Sequence, residues 1–266
     1  MAVPCAECRP CAKPCGGHVT VQKTRPRDLK AYSTFPAMKP IRLVCGTRAS
    51  YDDFPEKTAL GRSLSLFRHA SPPQLMLFDD NRAGLSSIYN YAIEQSRNDP
   101  AILVFLHDDL HLCDFYWMDR IRDAVTQFDI VGLAGNTRRL PGQPSWYFRD
   151  ASFTRDDAQY LSGVVGHGSG FPCTNMSIYG PPGRECKLLD GLLLAADSER
   201  LIDSGLTFDE RFDFHFYDLD FCRQAESRGL RMGTWPMSVV HESGGSFGTP
   251  AWRGGYERYM QKYMGV

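Results

Sequence analysis

The apolar run at residues 101–106 leads directly into His107, Asp108 and Asp109. A short run rich in Ile, Val, Leu and Phe is typical of a strand that is buried on both faces, as in a parallel sheet. Open α/β sheets bind ligands outside the carboxyl ends of their strands, which is where these two carboxylates would lie. Adjacent carboxylates repel each other unless a partner compensates their charge, and Mg²⁺ and Mn²⁺ prefer carboxylate and phosphate oxygens. The run therefore indicates either a site for a divalent cation that carries a diphosphate or a solvated acidic turn.

A second acidic segment, residues 208–230, is a candidate source of a general base. Asp218 and Asp220 precede a helical run that ends at Gly229. Carboxylates are common at helix starts because the free N–H groups there favour negative charge, and this explains one of the two. The aromatic residues around Asp218 indicate more, since a carboxylate beside aromatic walls can have a raised pKa that suits proton abstraction.

His241 ends a third apolar run and precedes a glycine-rich turn. A lone histidine at a strand end is more often structural than a ligand. A suspected acidic metal site elsewhere in the chain favours the ligand interpretation, and the glycines suit a mobile loop that closes over a ligand.

Hydrophobic periodicity predicts the elements that would position these residues. The predicted strands are 41–46, 74–78, 101–106 and 129–135, and the predicted helices are 54–68, 86–95 and 115–127. Their alternation implies an α/β fold with a parallel sheet and right-handed crossovers. Residues 136–187, rich in Gly, Pro, Ser and aromatics, predict a long irregular stretch. Order is expected to return at 188–197, followed by a helix at 216–228, one or two strands in 232–241 and a C-terminal helix.

Bulk composition is that of an ordinary globular protein. Of the 266 residues, 42% are hydrophobic and 23% are charged, and this length fits one large α/β domain with or without a small appendage. The formal net charge of -1 gives no electrostatic case for a nucleic-acid partner. No stretch approaches the ~20 apolar residues of a transmembrane helix, and the N-terminus lacks the apolar core of a secretory signal. A cytoplasmic enzyme is therefore expected.

Four cysteines crowd into the first segment: Cys5, Cys8, Cys11 and Cys15. Residues 1–40 are predicted to be a Cys- and Pro-rich tail or a small metal-binding appendage, and residues 41–266 the main domain. The cysteine spacing equals that of the bacterial ferredoxin run, but no second run is present and Gly16 stands where that run has proline. A four-thiolate zinc site, an iron–sulfur site and a disordered tail with free thiols all stay open.

Four stretches, in this order and at this spacing, resemble a nucleotide-sugar-dependent glycosyltransferase of the GT-A fold. The likeness is to glycosyltransferase family 2, and within it to a bacterial branch whose third strand ends in His-Asp-Asp or a relative of it. The stretches are residues 81–96, 104–112, 190–197, and 208–230 with the later His241. The resemblance covers roughly 41–247 and implies a Rossmann-like, mostly parallel sheet flanked by helices, with a smaller acceptor-side region.

The resemblance implies a role for each matching position. Asp109 and His241 match the ligands of a Mn²⁺ or Mg²⁺ ion that holds the diphosphate. Asp218 matches the general base of inverting members, which deprotonates the acceptor hydroxyl. Asp190 and Gly191 would form the acceptor-side wall.

Other residues would contact the donor. His107 and Asp108 would line the nucleotide and sugar side. The residues placed like groups that hold uracil or ribose are Gly46, Thr47, Arg48, Asp79, Asp80 and Asn81. Trp146, Trp235 and Trp252 are candidate sugar platforms because aromatic faces pack against apolar sugar faces, with core burial as the alternative and, for Trp235, the favoured one.

The chain departs from the family pattern in two places. The family usually has Glu-Asp before the last helix, where this chain has Tyr217 and Asp218, and no acidic residue closely follows the first strand unless Asp52 or Asp53 serves. The implied partners are a nucleoside-diphosphate sugar, UDP-sugar favoured, and a glycan, lipid or protein acceptor. Three other interpretations stay open: a non-catalytic nucleotide- or sugar-binding module, a nucleotidyltransferase, and a small redox or metal protein led by the N-terminal cysteines.

Overall fold

A computed structural model describes residues 38–67 and 72–265. The predicted N-terminal metal site, Cys5, Cys8, Cys11 and Cys15, lies outside the described residues. A compact unit begins at Lys39 and holds the whole of the described α/β structure. The division of the chain into an appendage and a main domain stays a prediction.

The described residues form thirteen strands and seven α-helices. The strands are β1 (Ile41–Gly46), β2 (Gln74–Phe78), β3 (Ile102–Leu106), β4 (Leu110–Leu112), β5 (Ile130–Gly132), β6 (Ala134–Asn136), β7 (Leu161–His167), β8 (Asn175–Gly180), β9 (Glu185–Cys186), β10 (Leu188–Leu189), β11 (Leu193–Asp197), β12 (Met232–Thr234) and β13 (Val239–His241). The helices are α1 (Phe54–Lys57), α2 (Ala59–Leu66), α3 (Leu85–Gln95), α4 (Trp117–Gln127), α5 (Ser198–Ser204), α6 (Tyr217–Ser227) and α7 (Pro250–Met264). Within this part of the chain, no helix combines the length and apolarity that crossing a bilayer requires.

The larger sheet has seven strands in the order β2-β1-β3-β11-β5-β12-β9. β1 is parallel to both β2 and β3, as the β-α alternation predicts. β11 enters antiparallel between β3 and β5, an insertion that local periodicity does not reveal. Helix α3 packs on β1 and β3, and α4 packs on β5 and β11. The α/β class predicted from the sequence is therefore confirmed.

The smaller sheet has the order β10-β6-β7-β13-β4, and β8 pairs with β7. Three of its strands lie wholly or partly in residues 136–187, so the prediction of an irregular stretch there was wrong. The sequence of β7, LSGVVGH, hides its strand character because glycines interrupt the apolar pattern. Gly163 has φ +109° and a Cβ there would lie 2.1 Å from the Leu133 carbonyl oxygen, so close strand approach requires glycine.

The prediction of one continuous helix at 54–68 was wrong, because two helices, α1 and α2, occupy this segment. Thr58 has extended backbone angles (φ -111°, ψ 151°) and separates α1 from α2. Its hydroxyl accepts a hydrogen bond from Gly61 N and so caps the second helix. A local capping interaction thus overrides the continuous apolar periodicity.

The turn from the larger to the smaller sheet carries the His-Asp-Asp sequence. β3 ends at Leu106 and β4 begins at Leu110. β13 lies antiparallel to β4, with His241 opposite Leu110, and parallel to β7, with His241 opposite His167. The backbone N–H of Glu242 donates to the Asp109 carbonyl at 3.0 Å. Backbone pairing therefore holds His241 beside Asp109.

A buried charge network ties α7 to α6. The Asp220 side chain is fully buried, and it accepts hydrogen bonds from Lys262 and from the Tyr263 hydroxyl. Lys262 also donates to Asp209 at 2.7 Å. Since a buried carboxylate that loses its cation is strongly destabilising, this network fixes the C-terminal helix.

The variant Lys262→Met is expected to lower the free energy of unfolding by about 3 kcal/mol, because it leaves the Asp220 carboxylate buried without its cation. Urea denaturation followed by circular dichroism measures the loss. The control is Lys57→Met, which removes an exposed ion pair with Asp53 and should cost less than about 1 kcal/mol. Equal losses in the two variants would show that the network does not hold α7.

Candidate functional site

Three side chains from two distant segments meet at the junction of the sheets. Donor atoms of His107, Asp109 and His241 all lie within 4.8 Å of one another. His241 Nε2 is 3.2 Å from Asp109 Oδ2, and His107 Nδ1 is 3.9 Å from Asp109 Oδ1. The sequence predicts Asp109 and His241 as ligands and places His107 on the nucleotide and sugar side. The structure brings the His107 ring into the same cluster.

The charges in this cluster suit a cation. Burial by itself would raise the pKa of the Asp109 carboxyl, but the hydrogen bond with His241 and the adjacent imidazoles lower it to about 2. Asp109 Oδ1 is buried, and no group in the described part of the chain hydrogen-bonds to it. Burial also lowers the pKa of the His107 imidazole, which keeps that ring neutral near pH 7. An ionised carboxylate with an unpaired oxygen, between two imidazoles, fits a divalent metal ion.

Asp218 faces the same cleft from the first turn of α6. Burial raises the pKa of its carboxyl to about 7, and the negative charge of Asp190 adds to the rise. The backbone N–H of Gly191 donates to Asp218 Oδ2 at 3.1 Å. The residue before the helix, Phe216, has φ +69°, an uncommon angle for a non-glycine residue. The side chain thus has the proton affinity of a general base near neutral pH.

Asp190, Gly191 and Trp146 form one wall of the cleft. The two carboxylate oxygens of Asp190 accept hydrogen bonds from Trp146 Nε1 at 2.6 Å and from Leu192 N at 2.8 Å. A Cβ at Gly191 would lie 2.3 Å from the Tyr217 hydroxyl oxygen, so no larger residue fits. Trp146 is 5% exposed, and its N–H is used on Asp190. Hydrogen bonds therefore fix both carboxylate oxygens of Asp190 in this wall.

The cleft has a volume of about 370 Å³ and mainly aromatic walls. Trp252 lines it, whereas Trp235 lies elsewhere, packed against Phe128. Phe214 and His167 are among the lining residues that sequence reasoning missed. Phe214 is 51% exposed and stacks on the His107 ring, with 5.7 Å between centroids and 23° between planes. His167 is brought to the site by the β7–β13 register, for which the local sequence carries no signal.

A second cavity, of about 430 Å³, shares the lining residue Phe214 with the cleft. It gathers five of the predicted nucleotide-binding residues: Gly46, Thr47, Arg48, Asn81 and Asp108. The Thr47 hydroxyl donates to Asp108 Oδ2 at 2.6 Å, which links the ends of β1 and β3. These five residues therefore line one cavity, whereas His107 lines the cleft.

Asp79 and Asp80 do not belong to the lining of this cavity. Both are exposed, and Asp79 accepts a hydrogen bond from the backbone N–H of Tyr51 at 3.2 Å. They follow β2, which is at the edge of the larger sheet, so one strand separates them from the end of β3. Asp53 pairs with Lys57 at 2.9 Å on the protein surface.

No protein-family model matches this sequence, and no curated protein matches it. Among solved structures, the chain is similar to a crystal structure of GalNAc-T7 with UDP, GalNAc and Mn²⁺, at a TM-score of 0.48 and 10% sequence identity. The match covers 85% of this chain and 48% of that chain, so this chain spans about half the length of the structure it matches. The function therefore has to be inferred from the residues of the site.

The variant Asp218→Asn is expected to be more stable than the wild type at about pH 8 and equally stable at about pH 4. An unfolded aspartate has a pKa of about 3.9, so a folded-state pKa of about 7 means that the native protein loses stability as pH rises between these values. Removing the charge should raise the free energy of unfolding by about 1–3 kcal/mol at pH 8. Urea denaturation in the presence of a chelator measures it, because a bound cation would change the pKa.

Asp190→Asn is the matched control, since Asp190 uses both oxygens as hydrogen-bond acceptors and an amide can replace only one. This variant should lose stability at about pH 4. At about pH 8 the loss should be smaller, because removing the charge of Asp190 also relieves its repulsion of Asp218. If Asp218→Asn were less stable than the wild type at pH 8, burial of the ionised Asp218 carboxylate would not destabilise the native protein.

Proposed function

We propose that the protein is a metal-dependent glycosyltransferase of the GT-A fold, which moves a sugar from a nucleoside-diphosphate sugar to an acceptor hydroxyl with inversion. One observation carries the proposal. A carboxyl whose burial raises its pKa to about 7, Asp218, opens into the same cleft as the His107, Asp109 and His241 cluster. A base and a cation-binding set in one cleft are the two parts that this reaction requires.

The donor nucleotide would occupy the second cavity, next to Thr47 and Asp108. This cavity lies where β1 and β3 end, the usual ligand position in open α/β sheets. Phe214 lines both this cavity and the cleft, so a ligand that reaches from one to the other passes its ring. The resemblance to family 2 favours a UDP-sugar.

His107, Asp109 and His241 would hold the metal ion. When bound, Mn²⁺ or Mg²⁺ supplies positive charge that stabilises the departing nucleoside diphosphate. Two imidazoles in the set favour Mn²⁺, because Mg²⁺ prefers oxygen ligands and keeps its water.

Asp218 would act on the acceptor. It takes the proton from the acceptor hydroxyl as that oxygen bonds to the anomeric carbon, while the bond from this carbon to the diphosphate oxygen breaks. The Gly191 N–H orients the carboxylate, and burial strengthens it as a base. A positioned base contributes roughly 10²–10⁴-fold to the rate.

The donor set also favours a second candidate function. Two histidines and one carboxylate are the ligands of non-haem Fe(II) oxygenases. That chemistry needs neither a general base such as Asp218 nor the second cavity, so the transferase accounts for more of the site. Oxygen uptake that depends on Fe(II), without Mn²⁺-dependent binding of UDP, would favour the oxygenase.

In a thermal-shift assay, UDP with Mn²⁺ is expected to raise the melting temperature of the wild type more than UDP alone, because the diphosphate is held through the metal. The variant Asp109→Ala should lose the Mn²⁺-dependent part. The control Asp79→Ala removes an exposed carboxylate outside both cavities and should keep it. Equal shifts in wild type and Asp109→Ala would contradict the assigned metal site.

Hydrolysis of the donor, measured as release of UDP from a panel of UDP-sugars, tests the base without a known acceptor. The wild-type rate should fall as pH drops below about 7, since protonation removes the basic form of Asp218. Asp218→Asn should lower kcat by about 10²–10³-fold with little change in KM.

Asp123→Asn, an exposed acid on α4, is the control and should keep the wild-type pH profile. If Asp218→Asn retained both the wild-type kcat and the fall at low pH, Asp218 would not be the base.

A further inference from the structure

The Tyr217 hydroxyl lies between the metal cluster and the cleft wall. Its oxygen is 2.9 Å from His107 Nε2 and 2.7 Å from the carbonyl oxygen of Gly191. The ring is 2% exposed. Both hydrogen bonds are therefore shielded from bulk water. In such a site a mismatch of donor and acceptor costs more free energy than it does in water.

Counting protons assigns the roles in these two hydrogen bonds. A carbonyl oxygen only accepts, so the single hydroxyl proton of Tyr217 must point to Gly191. The hydroxyl oxygen is then an acceptor toward His107, and His107 Nε2 must carry a proton. An imidazole that binds a metal ion through one nitrogen carries its proton on the other, so the His107 nitrogen with a lone pair for a metal ion is Nδ1.

Nδ1 is the nitrogen that faces Asp109. It is 3.9 Å from Asp109 Oδ1, the buried carboxylate oxygen to which no described group hydrogen-bonds. Two acceptor atoms that face each other in a buried site repel each other unless a cation lies between them. The His107 lone pair and the unpaired oxygen of Asp109 are thus placed to bind one cation.

We propose that Tyr217 is a positioning residue that holds His107 in the Nε2–H tautomer, so that Nδ1 is available to the metal ion. The proposal rests on the metal site of the proposed function and adds a residue to it. The close approach of Tyr217 depends on Gly191, where a Cβ would lie 2.3 Å from the hydroxyl oxygen. Phe214 stacks on the His107 ring and helps to orient it.

The tautomer can be measured in the wild-type protein without metal. Long-range ¹H–¹⁵N spectra of protein labelled with ¹⁵N-histidine, recorded at about pH 8, show which ring nitrogen is protonated, and His107→Gln identifies the His107 signals. We expect the proton on Nε2. A proton on Nδ1 would overturn the proposal, whatever the behaviour of any variant.

Metal affinity tests the consequence. Titration of Mn²⁺ followed by electron paramagnetic resonance is expected to give a Kd that is 10–100-fold higher in Tyr217→Phe than in the wild type, the usual effect of removing a group that orients a ligand. The control is Tyr256→Phe, which also loses a hydrogen bond from a tyrosine hydroxyl to a backbone carbonyl, that of Gly142 at 2.8 Å. This control should bind Mn²⁺ as the wild type does. An unchanged Kd in Tyr217→Phe, or equal losses in both variants, would overturn the proposal.

Failure of the proposed function gives a different result. If the wild-type protein has His107 in the Nε2–H form but binds no Mn²⁺, the assigned metal site is wrong, and the role of Tyr217 at that site is wrong with it. A wild-type protein that binds Mn²⁺ but has the proton on Nδ1 would overturn the role of Tyr217 alone.

Discussion

The pairing of β13 with β4 is the constraint on which the rest of the site depends. It places His241 Nε2 3.2 Å from Asp109 Oδ2 although the two residues are 132 positions apart. The contact is supported by the backbone hydrogen bond from Glu242 N to Asp109 O, so the side chains do not have to hold each other. Antiparallel register specifies which residues face each other, and a slip by one residue would turn His241 to the other face of the sheet. The contact between two of the three proposed metal ligands is therefore a consequence of strand register.

The site carries two unfavourable features that stability alone would not retain. Asp109 Oδ1 is buried and makes no hydrogen bond within the described chain, and burial raises the pKa of Asp218 to about 7. Proteins tolerate such features where the surrounding structure holds them and function uses them. Here the surroundings include the rings of Trp252 and Tyr259, which pack on Phe216 next to the base. The buried network of Asp220 and Lys262 keeps α7 in place behind them.

Tyr217 stands where the family that the sequence resembles usually has an acidic residue, and the contacts of Tyr217 give a physical reason for a tyrosine there. Tyr217 precedes Asp218 on α6, so one helix turn supplies both the proposed base and a hydroxyl that contacts His107. A carboxylate at this position would accept from His107 Nε2 as well, but it would add negative charge beside Asp190 and Asp218. A tyrosine, whose pKa burial raises, stays neutral there. A neutral side chain thereby contacts both His107 and Gly191, the residue whose N–H donates to Asp218.

Local patterns in the sequence predicted the parallel strands β1, β2 and β3, the helices that pack on them, and the carboxylates at the end of β3. These features follow from periodicity over a few residues and from the rule that ligands lie at the carboxyl ends of parallel strands. The family resemblance, and not a local pattern, predicted that His241 and Asp218 belong to the same site as Asp109. Tertiary structure alone decided the antiparallel insertion of β11, the strands in residues 136–187, and the contributions of His167 and Phe214. It also decided the orientation of His107, because its ring is set by Tyr217, a residue 110 positions away. Pairing between distant segments does not change the hydrophobic periodicity of either segment, so the sequence does not reveal it. Which nitrogen of an imidazole carries the proton depends on the atom that the fold places opposite the ring.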